Sequence, residues 1–402
     1  MASESSSPPA AEPIKPFEFA KVAPSVLQRV AGPVYTLWML FMAWFGVIYL
    51  MLPCLPLVFV SPALFRKVMD AMGFYWYHVT VIFQRYVLGV RVVISGDPLP
   101  ASDRAALFIS NHRTRLDWLF LWNYFALNGR LLHEKIVLKA ELKGFGPFGW
   151  AMQFLRFLFL KRDLAADART MAEFFSAYAD LRYPLQLLLF PEGTDLSPRT
   201  LQSSLSFAAK AGKPALHHCL LPRTGALNAA LQTLRGRNLD AVYDLTIAYT
   251  GVVPQNETCL LTGALPREIH VHVRRHPAAS MPEDELRVRD WATDRWVEKE
   301  QALRGFYIDN KTLTGQPRPP AMPGTPMGAL AHVRCLLFFA SYCIFFYIMY
   351  VLHANCWYIK WWTLFCSVFM IILTKLGGLD EVFEKPSLKR AFPESAWVKK
   401  QD

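Results

Sequence analysis

The stretch ALFISNHRTRLDWLFLWNYFAL, Ala106–Leu127, decides the fold class of this chain. Its opening apolar run, Ala106–Ser110, predicts a short buried strand. Its closing part, Leu116–Leu127, carries apolar residues at helical spacing and predicts a helix. A strand that passes through a short polar turn directly into a helix is the repeating unit of an α/β sheet.

The same alternation continues from Ala105 to Tyr307. The other candidate strands are Phe157–Leu160, Leu185–Phe190, Cys219–Leu221, Leu245–Tyr249 and Ile269–Val273. The other candidate helices are Ala168–Leu181, Pro198–Ala211 and Pro282–Leu303, and Ser197-Pro198 is typical of a helix start. We therefore predict an α/β domain with a mixed sheet flanked by helices.

Hydrophobic residues make up 53% of the 402 residues, which exceeds the usual share in a soluble protein. The excess lies in three blocks, Val34–Val60, Cys335–Leu352 and Trp361–Leu373. The net charge of +11 suits an anionic membrane surface or phosphorylated substrates. Nucleic-acid-binding signatures are missing from the sequence, and the seven cysteines show no disulfide or zinc spacing.

The N-terminal apolar block has two interpretations. Val34–Leu52 is long enough to span a bilayer, which takes about 20 apolar residues. Pro53 and Pro56 interrupt it before the amphipathic stretch Leu57–Leu88. The first interpretation is one span followed by a surface helix, and the second is a bent hairpin that enters one leaflet and returns. The prolines favour the hairpin.

The whole chain then divides into six parts. They are a polar, disordered N-terminus (1–33), membrane-embedded helices (34–88), the α/β domain (89–313), a Pro/Gly-rich linker (314–328), a transmembrane hairpin (329–375) and a tail (376–402). The hairpin is formed by the second and third apolar blocks, joined by His353–Lys360.

Asn111–Asp117 holds the first candidate chemistry. On a continuous helix, residues five apart point about 140° away from each other. His112 and Asp117 can therefore pair only if His112 lies in the turn and Asp117 in the first helical turn. Asp117 would then hold one ring nitrogen of His112, and the other nitrogen would take a proton from a substrate hydroxyl. A chance pair of surface residues is the alternative.

A second candidate, Phe190–Asp195, reads FPEGTD and follows another apolar strand. Gly193 would let the backbone approach a ligand closely. Glu192 would bind acceptor hydroxyls or position a basic side chain. An ordinary strand-to-turn transition is the alternative.

Together these blocks resemble the glycerophospholipid acyltransferases, the 1-acylglycerol-3-phosphate acyltransferase family. Four family motifs are matched in order, by Asn111-His112 with Asp117, by Phe157–Arg162, by Phe190–Thr194 and by Leu220-Leu221-Pro222. Longer strings are similar to the lysocardiolipin acyltransferase branch, namely NHRTRLDWLFLWN (Asn111–Asn123), LKAELKGFGPFGWAMQ (Leu138–Gln153), PLQLLLFPEGTD (Pro184–Asp195) and PREIHVHV (Pro266–Val273).

The resemblance implies an enzyme that transfers an acyl group from acyl-CoA to a lysophospholipid in the bilayer, with His112 and Asp117 as catalytic residues. It leaves lysocardiolipin, lysophosphatidylinositol, lysophosphatidylglycerol and lysophosphatidic acid open as acceptors. It implies no cofactor and no metal, since acyl-CoA is a co-substrate. His270 and His272 lack an evident third ligand. A CoA-independent transacylase and a catalytically silent membrane scaffold are the alternative functions.

One position departs from the family pattern. Many members carry an arginine after FPEGT, where it binds the acceptor phosphate, whereas this chain has Asp195. The phosphate contacts must come from elsewhere, and Arg162 is the first choice because a guanidinium can hold phosphate at two points. The remaining substrate-binding candidates are Arg113, Arg115, Lys139, Lys143 and Lys161, together with Glu192, Gly193 and Thr194.

The last four residues, Lys399-Lys400-Gln401-Asp402, form a dilysine pattern for retrieval to the endoplasmic reticulum. Such a pattern works only on a cytosolic tail, and a C-terminal hairpin then places the catalytic domain in the cytosol as well. We therefore predict a multi-pass membrane protein of the endoplasmic reticulum. The glycosylation acceptors at Asn256 and Asn310 are predicted to be unmodified.

Overall fold

The computed structural model describes residues 23–319, 324 and 328–395, and these contain one mixed seven-stranded sheet. The strands are β1 Arg91–Gly96, β2 Ala106–Ser110, β3 Glu134–Lys139, β4 Leu158–Leu160, β5 Gln186–Leu189, β6 Ala241–Thr250 and β7 Glu268–Pro277. Their order is β1-β7-β6-β2-β5-β3-β4. Every neighbouring pair is parallel except β6 and β7, so the predicted mixed sheet is confirmed.

Helices cover both faces of the sheet. They are α1 Val26–Phe45, α2 Leu57–Val60, α3 Pro62–Ile82, α4 Asp117–Leu127, α5 Gly146–Phe154, α6 Leu164–Asp180, α7 Pro198–Ala211, α8 Gly225–Leu234, α9 Thr258–Thr262, α10 Glu285–Tyr307, α11 Ala329–Asn355, α12 Trp357–Lys375 and α13 Lys385–Ala391. The predicted bounds of α7 are confirmed, because Ser197 caps it through a capping box with Thr200 and Gly212 ends it at φ 60°.

The central strand β2 separates two hydrophobic cores. Phe108 packs into the core that contains α1, α4 and α5, whereas Leu107 and Ile109 pack into the core that contains α6, α8 and α10. Successive side chains of a strand point to opposite faces, so a strand buried on both faces is apolar throughout. The result is a helix–sheet–helix arrangement with the carboxyl end of β2 at its centre.

Two strands were not predicted and one predicted strand is wrong. Both β1 and β3 are absent from the sequence prediction. Cys219–Leu221 does not join the sheet, because the N–H of Leu220 donates to the Glu192 carboxylate and that of Leu221 to the Ser204 hydroxyl. Side chains thus replace the neighbouring strand as partners of this backbone.

The N-terminal helices fold back on themselves. Gln28 donates a side-chain hydrogen bond to the carbonyl of Leu88 at 3.2 Å, and the rings of Tyr35 and Phe83 stack at 5.1 Å. The chain therefore reverses between α1 and α3, and the insertion of this hairpin into a bilayer stays a prediction. The polar N-terminus was predicted to extend to residue 33, but Ser25 and Gln28 form a capping box that starts α1 at Val26.

A close backbone contact attaches α1 to the sheet domain. A Cβ on Gly32 would lie 2.4 Å from the carbonyl oxygen of Leu260, and one on Gly263 would lie 2.1 Å from that of Gln28. Both positions therefore require glycine. Gly263 also has a φ of 71°, which side chains rarely adopt.

Two helical segments in the described part of the chain, Val26–Val60 and Trp357–Lys375, are long and apolar enough to cross a membrane by length and composition. The C-terminal helices α11 and α12 are separated only at Cys356, so most of the predicted connection His353–Lys360 is helical. Trp362 donates to the carbonyl of Ile48 at 3.3 Å, and Tyr49 bonds Thr363 at 2.6 Å. The two apolar regions thus pack against each other.

Beyond α12 the chain returns to the sheet domain. Glu384 lies between Arg66 of α3 at 3.3 Å and Arg156, next to β4, at 3.2 Å. The side chains of these three residues, which we call the tail cluster, are 3–7% exposed. Lys385 pairs with Glu173 of α6 at 2.6 Å. The tail was predicted as one segment from residue 376 onward, and its first part is an integral piece of the fold.

Several sequence predictions fall outside the described residues. They are the disordered stretch 1–16, the dilysine pair at 399–400, and residues 320–323 and 325–327 of the linker.

Candidate active site

The site is built on the turn between β2 and α4. Asn111 is buried, and its side-chain amide donates to the carbonyl of Ile247 at 3.0 Å while its oxygen accepts the Ile247 N–H at 2.8 Å. This side chain thus pairs with β6 as a strand backbone would, just where β2 ends. The turn that follows is held at the carboxyl edge of the sheet, where open α/β sheets place their ligands.

His112 and Asp117 meet as the spacing required. His112 lies in the turn, Asp117 is the first residue of α4, and Nδ1 of the histidine lies 2.9 Å from Oδ2 of the aspartate. The Asp117 side chain is fully buried, whereas 16% of the His112 side chain is exposed. Because Nδ1 faces Asp117, Nε2 is the nitrogen left for a substrate proton.

Asp117 is also held by two neighbours that the sequence analysis missed. Thr114 donates its backbone N–H at 3.0 Å and its hydroxyl at 3.1 Å, and the Tyr249 hydroxyl donates at 2.5 Å. Burial, with the nearby Asp117 carboxylate, raises the pKa of Tyr249 well above its usual value. The phenol therefore keeps its proton near neutral pH and acts as a donor. Two residues, Thr114 and Tyr249, thus fix the carboxylate that orients His112.

The loop Phe190–Leu196 wraps around His112. The phenyl ring of Phe190 stacks on the imidazole with 4.3 Å between ring centroids. The His112 N–H donates to Glu192 at 3.0 Å, and the His112 carbonyl accepts the N–H of Leu196 at 2.9 Å. Both backbone groups of His112 are therefore bonded to this loop, which brings the two predicted motifs together.

Glu192 takes a different place from the one expected of a substrate ligand. The residue is 2% exposed, and it also accepts the indole N–H of Trp296 at 3.1 Å and the backbone N–H of Leu220 at 2.9 Å. Burial raises the pKa of this carboxyl to about 7, against the opposing effect of its hydrogen bonds. Its contacts join the His112 turn, the segment at Leu220 and α10, so it positions the backbone of His112.

Gly193, next in the chain, is exposed, and its carbonyl accepts a hydrogen bond from Arg162 Nη2 at 2.8 Å. Arg162 has a φ of 66°, and its backbone N–H and that of Lys161 each donate to Asp167 at 2.7 Å. These bonds fix the sharp turn after β4 that directs Arg162 toward the loop Phe190–Leu196, which we call the Gly193 loop.

Other predicted cations lie around the same loop. Arg115 Nε is 3.8 Å from Asp195, and the Thr194 hydroxyl is 3.5 Å from the same carboxylate. The pKa of Lys139 is lowered by partial burial and then by the charges of Arg162 and Arg115, against Asp195. The ammonium group of Lys139 therefore lies within electrostatic range of Arg162, Arg115 and Asp195.

Three further candidates are bound or placed differently. Lys143 donates to Asp380 and to the carbonyl of Gly377, both at 2.8 Å, so its ammonium group holds the tail. Arg113 donates to Gln255 at 3.3 Å, and Gln255 in turn donates to the carbonyl of Leu196, so Arg113 supports the loop Phe190–Leu196. Lys161 is exposed beside Arg162.

The two histidines of β7 have partners of their own. His270 Nε2 lies 2.9 Å from Glu268, and His272 Nδ1 lies 3.1 Å from the Ser95 hydroxyl. Within the described ranges, groups of three side chains suited to hold a metal ion do not occur.

Comparison with known families places two models on this chain. The family model described as "Acyltransferase" matches residues 91–250, which include the His112 turn, the Phe190–Leu196 loop and Tyr249. The model described as "Acyltransferase C-terminus" matches residues 259–331, which include α10 and Trp296.

Curated relatives are similar over most of the chain. Lysocardiolipin acyltransferase 1 of Mus musculus is 35% identical over 356 residues, covering 88% of this chain and 94% of that protein. The protein of the same name from Danio rerio is 43% identical over 69% of this chain and 71% of its own length. Lysophosphatidylinositol acyltransferase 10 of Caenorhabditis elegans is 36% identical, over 73% and 76%.

Proposed function

This chain belongs to the glycerophospholipid acyltransferase family and is an acyltransferase, and we propose that it uses acyl-CoA to acylate a lysophospholipid. The observation that carries the proposal is the His112–Asp117 pair at 2.9 Å, with His112 partly exposed and bonded to the Gly193 loop through both backbone groups. A base beside a loop that Arg162 contacts suits an acceptor that carries both a hydroxyl and a phosphate.

The pair supports direct transfer between two bound substrates. Nε2 of His112 takes the proton from the acceptor hydroxyl, whose oxygen attacks the thioester carbonyl carbon. Backbone N–H groups stabilise the resulting oxyanion. The carbon–sulfur bond then breaks, and the proton held by His112 passes to the CoA thiolate. Asp117 keeps the imidazole oriented and stabilises its charged form. The proposed mechanism requires neither a metal nor a bound cofactor.

The acceptor is proposed to be a phosphate-bearing lysolipid. The names of the relatives include lysocardiolipin and lysophosphatidylinositol acyltransferases, and the branch resemblance adds lysophosphatidylglycerol and lysophosphatidic acid. We propose that Arg162 holds the phosphate, because this residue is exposed and its guanidinium donates to the carbonyl of Gly193 at 2.8 Å.

The proposed site of action is the endoplasmic reticulum membrane, with the catalytic domain and the tail in the cytosol, where acyl-CoA is made. The return of the tail to the domain through Glu384 and Lys385 supports one side of the membrane for both. Protease digestion of sealed microsomes should therefore remove an epitope fused after Asp402. Glycans on Asn256 or Asn310 would contradict this topology.

The function is tested by assaying the purified protein with a panel of lysophospholipids and several acyl-CoAs. We expect acylated product from at least one phosphate-bearing acceptor, and a strict need for acyl-CoA. Equal transfer from an intact phospholipid without acyl-CoA would identify a transacylase instead. No transfer with any donor would favour a silent membrane scaffold.

A further inference from the structure

We propose that Arg223 binds the acceptor phosphate together with Arg162, with the two guanidinium groups reaching the exposed Gly193 loop from different parts of the chain. The inference rests on the proposed function and names a headgroup-binding residue for it. Arg223 lies outside the residues that the sequence pattern singled out, directly after Leu220-Leu221-Pro222.

Arg223 is held over Gly193 by its own backbone. Its N–H donates to the carbonyl of Pro191 at 2.7 Å, which ties the segment after Pro222 to the loop. A Cβ built on Gly193 would lie 3.6 Å from Arg223 Cδ and 4.0 Å from Nε. The arginine side chain therefore runs past the α-carbon of Gly193, while Arg162 bonds the carbonyl of the same residue at 2.8 Å.

The guanidinium of Arg223 is uncommitted. The residue is exposed, and within the described residues its side chain makes neither a hydrogen bond nor an ion pair. Arg115 and Lys139 add further positive charge around the loop, and Asp195 is the nearby acid. Among the described residues, Arg162 and Arg223 share this exposed glycine loop without an ion-pair partner, which suits a phosphate, because arginine holds phosphate through two parallel hydrogen bonds.

Arg223 is linked to His112 through the loop Phe190–Leu196, and this proximity favours the phosphate of the acceptor over the phosphates of CoA as its ligand. Gly193 follows Glu192, whose carboxylate accepts the backbone N–H of His112 at 3.0 Å. In a lysophospholipid the reacting hydroxyl and the phosphate are separated only by a short piece of the glycerol backbone. In acyl-CoA the whole pantetheine arm separates the thioester from the phosphates. A cation next to the His112 loop therefore reaches the acceptor headgroup.

The experiment measures KM for both substrates in Arg223→Ala, with Arg199→Ala as the matched control. Arg199 is an exposed arginine on the first turn of α7. We expect Arg223→Ala to raise the acceptor KM roughly ten- to hundredfold, the range for a lost charged hydrogen bond, with the acyl-CoA KM unchanged. Arg199→Ala should match the wild type in both.

Two outcomes would overturn the inference while leaving the acyltransferase function intact. One is an acceptor KM in Arg223→Ala equal to that of the wild type. The other is a rise in the acyl-CoA KM as large as that for the acceptor, which would assign Arg223 to CoA. Loss of transfer by the wild-type protein with every lysophospholipid would instead refute the proposed function.

A second variant tests whether an arginine at position 195 can replace Arg223. Asp195→Arg in the Arg223→Ala background returns an arginine to the same loop from a neighbouring residue. We expect it to recover at least part of the lost acceptor affinity. An acceptor KM as high as in Arg223→Ala, in a double variant that unfolds at the wild-type temperature, would contradict the role of Arg223 as a phosphate ligand.

Discussion

Two of the buried charged clusters among the described residues, the one at His112 and the tail cluster, differ in what they leave open to a ligand. The His112–Asp117 cluster surrounds one carboxylate with Thr114, Tyr249 and the imidazole, and His112 keeps 16% of its side chain exposed. The tail cluster places Glu384 between two guanidinium groups, and all three side chains are at most 7% exposed. A catalytic group needs an atom that the fold does not use, whereas a structural ion pair faces only its counter-charges.

Replacing His112 should therefore separate activity from stability most clearly. His112→Ala should lower kcat by about 10²- to 10⁴-fold or more, the usual contribution of a general base. The melting temperature should change little, because Asp117 keeps its donors from Thr114 and Tyr249. Acyl transfer and thermal unfolding of the purified variant check both. Turnover at the wild-type rate would remove His112 from the mechanism.

Replacing Glu384 should produce the opposite result. Glu384→Ala leaves the buried guanidinium groups of Arg66 and Arg156 without their shared carboxylate, which should cost about 3–5 kcal/mol of stability. Thermal unfolding in detergent measures the loss, and the surviving folded fraction should keep a wild-type KM.

Glu381→Ala is the matched control, since Glu381 makes an exposed pair with Lys385 on the same segment. Such pairs contribute about 0–1 kcal/mol. Equal destabilisation by the two variants would show that the tail cluster is no stronger than a surface ion pair.

Removing the Tyr249 hydroxyl should affect the active-site cluster more mildly. Without this donor, Asp117 is held less firmly and orients His112 less well in Tyr249→Phe. The kcat should fall roughly tenfold, as for one hydrogen bond to a charged group, with both KM values unchanged.

Tyr243→Phe on the same strand is the control, because Tyr243 donates to Asp103, which keeps two bonds from Arg275 at 2.7 and 2.9 Å. Its kcat should match the wild type. A wild-type kcat in Tyr249→Phe would limit Tyr249 to a structural role.

A separate effect is expected on the pH dependence of stability, through Glu192. Burial raises its pKa from 4.5 to about 7, so the folded protein holds a proton that the unfolded chain has lost across this window. Stability should fall as the pH rises from 4.5 to 7 and then level off. Melting temperatures of the wild type and Glu192→Gln across this range check the effect. Identical slopes would contradict it.

The active-site pair could be predicted because its parts are local. His112 and Asp117 lie in one strand–turn–helix unit, and the Gly193 loop follows another apolar strand. For Glu192 the sequence left two roles open, binding acceptor hydroxyls or positioning a basic side chain, and Tyr249 was not singled out. Their partners, Leu220 and Trp296 for the first and Asp117 for the second, lie far away in the sequence and meet only in the folded chain.

The same reason explains the errors in the fold. Strand β3 begins with Glu134 and Lys135, which look like loop residues in the sequence. In the structure both are buried, Lys135 donates to Asp70 of α3 at 2.7 Å, and burial raises the pKa of Glu134 to about 8. Charged residues in a strand core depend on partners from another element, which local patterns do not reveal.

Because Glu384 docks on Arg66 and Arg156, the two C-terminal apolar helices α11 and α12 are an excursion of the chain that leaves the sheet domain and returns to it. A shortened protein that stops before α11 would lose the counter-charge of Arg66 and Arg156 along with the apolar helices. A design that instead replaces 329–375 with a flexible linker would keep residues 376–395 and their ion pairs. A more soluble version of this protein therefore needs residues 329–375 replaced and residues 376–395 retained.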